Sequence, residues 1–224
     1  MAENSDFTQD CGAMEPLVLI VPGLNNSGPN HWQTIWEHGR PDSHRVDLGM
    51  WSNPHRNTWV NKLNLAIRSV NRPVVLVAHS LGCLAVAWWA EYERPAYGNP
   101  VVGALLVAPP DVDRPGLDPR LAGFGACPRR PLPFPGFLVA SHDDPYCKYR
   151  TARVLAHDWD CRFADAGAVG HINAESQLNE WPFGERLLTQ LLREHRLKSG
   201  SRAIRSDSGV PPPPTRTRDA LRRN

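Results

Sequence analysis

No apolar run in this 224-residue sequence approaches the roughly 18 residues that a bilayer-spanning helix needs, which excludes a membrane protein of that kind. Cysteine is sparse and unpatterned. Cys11, Cys83, Cys127, Cys147 and Cys161 are odd in number and show no C-x-x-C spacing, which argues against a disulfide framework or a zinc site and fits a reducing cytoplasm. There is no internal repeat. No H-E-x-x-H or comparable helical metal spacing occurs either. The opening MAENSDFTQDCGAMEP is acidic and polar, without a charged-then-apolar leader, so residues 1–15 read as a flexible N-terminal segment of a cytoplasmic protein. Net charge is only +2, and residues 196–224 hold eight Lys/Arg against two Asp, leaving 17 basic and 21 acidic side chains before them. A mildly acidic body carries no electrostatic footprint for nucleic acid.

What is present is one domain's worth of alternating strands and helices. Short apolar runs at Leu17–Val21, Val74–Val77, Val101–Val107 and Gly136–Ala140 read as buried strands, with weaker, edge-like ones at Ser43–Leu48 and Asp160–Ala164. Helical spacing follows His31, runs through Val60, Leu63, Ile67 and Val70, fills Cys83–Trp89, and recurs at 147–157 and over Trp181–Leu197. This alternation predicts a parallel sheet covered on both faces, with any site at the carboxyl ends of the strands. Residues 111–135 break the rhythm with six prolines and three glycines, and read as an irregular excursion over that end. The domain is expected to occupy 16–197. Residues 198–224, basic and proline-rich, are expected to be a disordered tail.

The chemistry centres on Ala78-His79-Ser80-Leu81-Gly82, set between an apolar strand and an apolar helix. A serine between small residues at a strand-to-helix junction is the pattern of a nucleophile elbow, although serine is also a favoured helix cap. As a nucleophile, Ser80 would place a developing oxyanion beside the Leu81 N–H at the helix start. A second N–H would come from the Gly-containing turn after the first strand, where Leu24 is the candidate and Asn25 stands close behind. A serine needs a base, and a histidine base works best with a carboxylate behind it. Aspartate and histidine follow Ser80 in that order, each just beyond a strand. Asp143 and Asp144 compete for the first role. His171, on a Gly-flanked loop after the last strand, is preferred for the second over His142. His79 reads as packed near the oxyanion pocket. His31, His38, His44, His55, His157 and His195 read as unremarkable, and most of the tryptophans as core. The set His142, Asp143, Asp144 and His171 is also metal-compatible in type.

Six segments, VPGLNNSGPNHWQ, WSNPHRNTWVNKL, LVAHSLGCLAVAWWA, LLVAPPD, SHDDPYC and GHINAESQLNEWPFG, resemble in this order the small serine hydrolases that include retinoblastoma-binding protein 9 and bacterial α/β-hydrolases of similar length. The resemblance covers roughly residues 16–195. It implies an α/β-hydrolase fold with a six-stranded, mostly parallel sheet and no large cap, and a triad of Ser80, Asp144 and His171, the second aspartate of D-D-P being the one the family uses. Where similar bacterial sequences carry glycines after GHINAES, this chain has Gln177 and Asn179. The expectation is a serine hydrolase acting on a small acyl ester or thioester, without cofactor or metal, nucleic acid or membrane. The alternatives are an idle binding protein on the same fold, or a peptidase or other hydrolase.

Overall fold

The computed structural model describes residues 14–207, with side chains through residue 200. In chain order the elements are β1 (Leu17–Val21), α1 (Trp32–Gly39), β2 (Ser43–Arg45), α2 (Arg56–Arg68), β3 (Val74–His79), α3 (Leu81–Glu93), β4 (Val101–Val107), α4 (Pro119–Ala122), β5 (Gly136–Ala140), α5 (Tyr149–Asp158), β6 (Arg162–Asp165) and α6 (Pro182–Asp207). The six strands form one sheet in the order β2-β1-β3-β4-β5-β6, and every pairing is parallel. This is the α/β-hydrolase fold without a large cap. The chain leaves β1 toward one edge and returns past it to β3. That reversal of direction opens a crevice at the carboxyl ends of β1 and β3.

Strand periodicity divides the core. Leu17, Leu19, Val21, Leu76 and Ala78 face α2, α3 and α5, whereas Val18, Ile20, Val75 and Val77 face α1 and α6. Both faces are covered, which is why β1 and β3 are apolar at consecutive positions. Helix α3 is buried along almost its whole length beneath the sheet, so its residues show no polar stripe.

Three boundaries differ from the sequence reading. Strand β2 stops at Arg45 because its neighbour β1 runs into Pro22, which has no N–H to continue a ladder. The chain then bends and buries Val46 and Leu48 in the core. Strand β6 begins at Arg162, since Cys161 N–H still closes the end of α5 on the Ala156 carbonyl. Helix α6 continues ten residues past Leu197, so the stretch 198–207 expected to be disordered is helical. The expectations for 1–13 and 208–224 lie outside the described residues.

The 111–135 segment is tied down rather than free. Arg56 donates to the Gly125 carbonyl and Trp88 Nε1 to the Phe124 carbonyl, while Arg129 bridges Asp113 and Asp158. Phe124, Leu132 and Phe134 are buried in the α3 side of the core, and α4 brings Leu121 to the crevice.

Candidate active site

The junction of β3 and α3 holds Ser80 at φ 53° and ψ −125°, a conformation that costs a non-glycine residue about 1–3 kcal/mol. Neighbouring glycines make the turn possible. A Cβ on Gly23 would lie 2.8 Å from Ser80 Cβ, and one on Gly82 would lie 2.6 Å from the Pro22 carbonyl oxygen. The end of β1 thus packs directly on the elbow. Ser80 makes no capping bond to its helix. Its hydroxyl lies 2.9 Å from His171 Nε2 instead. The capping reading of Ser80 is therefore set aside.

His171 Nδ1 lies 3.0 and 2.9 Å from the two Asp144 oxygens. A carboxylate only accepts, so Nδ1 carries the proton and Nε2 presents its lone pair to the serine hydroxyl. Both side chains are shielded, at 9% exposure for His171 and 3% for Asp144. The Tyr146 ring closes over the imidazole at 4.5 Å, and the Tyr146 N–H donates to Asp144 Oδ1 at 2.8 Å.

The loop carrying His171 is held at four successive residues by four side chains from three parts of the chain. Val169 N–H donates to Ser141 Oγ (2.9 Å), and Gly170 N–H donates to Asp143 Oδ1 (2.8 Å). His79 Nε2–H donates to the His171 carbonyl (3.0 Å), and Trp32 Nε1–H to the Ile172 carbonyl (2.8 Å). The Ser141 hydroxyl in turn donates to Asp143, and these two hydrogen bonds hold the Asp143 carboxyl below its ordinary pKa. The competition between the two aspartates is thereby resolved by geometry: Asp144 faces the imidazole and Asp143 faces the loop backbone. Gln177 and Asn179 adopt φ of 52° and 51°, so the left-handed turns that glycine would favour are kept without glycine.

Across the crevice, the turn after β1 is equally well fixed. Arg45 donates to Asn26 Oδ1, the Ser27 carbonyl and Thr34 Oγ1, and pairs with Glu37 at 2.7 Å. Ser27 Oγ–H donates to Gln33 Oε1, and Gln33 Nε2 reaches the Val77 carbonyl at 3.0 Å. Asn25 N–H is already donated to the Trp51 carbonyl, whereas Leu24 N–H has no partner among the described residues. A Cβ on Gly23 would be 3.2 Å from Leu81 N, so the Leu24 segment lies against the start of α3.

The chain matches the serine hydrolase family over residues 18–190, well over half its length. It is a member of that family. A YdeN-like hydrolase from Pectobacterium atrosepticum SCRI1043 is 30% identical, with a TM-score of 0.70 over 80% of this chain and 91% of that one. The ydeN gene product of B. subtilis is 21% identical, with a TM-score of 0.66 over 80% of this chain and 99% of that one. At the level of fold alone, Est1E from Butyrivibrio proteoclasticus, solved with ferulic acid bound, has 14% identity and a TM-score of 0.55 over 82% of this chain and 88% of that one. No curated protein matches.

In this serine hydrolase the remaining sequence candidates are dispersed. His142 turns outward to Asp165, whose carboxyl it pulls down to about 2 together with the Gly167 N–H and the Tyr149 hydroxyl. Of the metal-compatible set, Asp144 and His171 pair with each other while His142 and Asp143 turn to other partners, and no group of three His, Cys, Asp or Glu suited to a metal ion occurs among the described residues. The hydrolase cleft over Ser80 has a volume of about 320 Å³, at the small end for ligand sites, and includes Leu24, Asn25, His31, Tyr146, Asn173 and Glu175 in its walls. A larger hollow of about 980 Å³ lies between α1 and α6, and no triad residue lines it. His31 was the histidine that sequence reasoning missed. It is buried at the head of α1 and borders the cleft, and the only signal for it was its position just after the Gly-containing turn.

Proposed function

We propose that this serine hydrolase cleaves small acyl esters or thioesters through an acyl-enzyme on Ser80. The observation that carries the reading is His171 standing 2.9 Å from both the Ser80 hydroxyl and the Asp144 carboxylate. His171 Nε2 takes the hydroxyl proton as Ser80 Oγ attacks the carbonyl carbon. Asp144 holds the proton on Nδ1 and balances the imidazolium charge. The oxyanion accepts from the N–H groups of Leu81 and Leu24, the latter supported by its lack of any other partner. His171 then returns the proton to the leaving oxygen or sulfur. A water activated by the same nitrogen cleaves the acyl-enzyme, regenerating Ser80 and releasing the acid.

The small cleft favours short acyl groups. A cytoplasmic setting is supported by four free cysteines among the described residues, three of them buried, and no described helix is long and apolar enough to cross a membrane. The hydrolase domain takes in 16–197 together with the continuation of α6.

A fluorophosphonate probe tests the reading. Wild-type protein is expected to label within minutes, and Ser80→Ala not at all, with unchanged circular dichroism. Equal labelling of the two proteins would place the reactive nucleophile elsewhere and overturn the assignment.

A further inference from the structure

His31 is a buried histidine for which the reaction above has no use. Its Nδ1 accepts the Gln33 N–H at 3.1 Å and so caps α1. Accepting requires a lone pair, so the proton of the neutral ring sits on Nε2. That N–H is buried and meets no acceptor among the described residues. Leaving a buried donor unsatisfied is unfavourable. The ring also stays uncharged at neutral pH, because burial, assisted by Arg45 and His171, lowers its pKa to about 4. The result is a fixed neutral donor in the wall of the cleft.

The tetrahedral intermediate decides which part of a substrate can meet it. Its oxyanion faces Leu24 and Leu81. Its leaving group must face His171 Nε2, which protonates it, and therefore lies on the side that Tyr146 covers. The His79 ring lies 5.0 Å from the His171 ring and 4.7 Å from the His31 ring. The acyl chain is left with the quadrant bounded by His31. The donor has no protein partner among the described residues and its ring borders the cleft, so an acceptor on a bound substrate would complete it.

Resting on the triad reading above, we propose that His31 is a specificity-determining residue whose Nε2–H donates to an acceptor on the acyl chain near the scissile carbonyl. The favoured substrates are then esters whose acyl chain carries an ether, hydroxyl or carbonyl oxygen, over hydrocarbon chains of the same length.

The test is a ratio: kcat/KM for para-nitrophenyl methoxyacetate divided by kcat/KM for para-nitrophenyl butyrate. The two acyl chains are of equal length and differ by oxygen in place of methylene. The difference in intrinsic reactivity is common to every protein and cancels between variants, as does any unfolded fraction. His31→Asn puts an amide where Nδ1 sits and keeps the cap. His31→Gln puts an amide nitrogen where Nε2 sits, and His31→Phe keeps ring volume without a donor. The ratio is expected to fall about 5–10-fold in His31→Asn and His31→Phe, and to stay within about twofold of wild type in His31→Gln. The same ratio in all four proteins would reduce His31 to packing and overturn the proposal. A wild type that turns over neither ester fails at the hydrolase reading itself, a different result from an unmoved ratio.

Discussion

Asp144→Asn is expected to lower kcat/KM about 10³–10⁴-fold while leaving the fold intact. An amide can offer His171 Nδ1 its oxygen or its N–H₂, but it carries no charge to balance the imidazolium, and it admits the tautomer that puts the proton on Nε2. That tautomer cannot accept from Ser80. Asp143→Asn makes the informative contrast, because the two carboxylates are adjacent in sequence. The Asp143 amide oxygen can still accept from Gly170 N–H and Ser141 Oγ–H, so a loss of less than about tenfold is expected. Asp143→Ala removes both bonds and frees the base loop, for which about a 10–100-fold fall is expected, carried by kcat more than KM. Steady-state hydrolysis of para-nitrophenyl acetate by the three variants is the measurement. Equal losses in Asp143→Asn and Asp144→Asn would sink the division of labour between them.

Gly82→Ala is expected to destabilise the protein by about 3 kcal/mol or more, read from urea unfolding. Helix propensity alone predicts the opposite sign, since alanine gains about 1 kcal/mol over glycine inside a helix. The added methyl decides the sign. It would press on the carbonyl oxygens of Val21 and Pro22 and stand 3.1 Å from the Pro22 carbonyl carbon. These are backbone atoms at the end of a central strand, which cannot rotate away as a side chain could. Relief requires α3 to move off β1, carrying Ser80 with it, so activity per folded molecule should fall as well. A variant more stable than wild type would show that the close approach of elbow and strand imposes no such constraint.

Much of this was legible in the sequence because the same residues carry the local and the global signal. The run Val74–Val77 could be read as a buried strand, and the small residues around Ser80 as a tight turn, before any contact was known. The base and acid were legible by chain order. What sequence could not separate was Asp143 from Asp144, since adjacent carboxylates after one strand differ only in the directions their side chains take. The resemblance to a family supplied that choice, and the geometry agrees with it. His31 was opaque for another reason: its significance is a missing partner, and absence of a partner has no spacing or composition. The end of α6 was misjudged because the glycine, serines and charges after Leu197 look like a tail, yet Lys198, Arg202, Ala203 and Arg205 are good helix formers that sustain the helix to Asp207.

The parallel sheet has a consequence for the protein during its synthesis. Ser80 and His171 are 91 residues apart, and the base loop, which follows β6 in the chain, rests on side chains of α1, β3 and the end of β5. Parallel pairings of this kind close long loops and form slowly. An emerging chain therefore holds its serine without a base while the 91 residues between them are added, and a chain interrupted before residue 171 never acquires one. Reactivity toward an electrophile appears only with the last strand in place, so newly made molecules begin to hydrolyse only once they have folded.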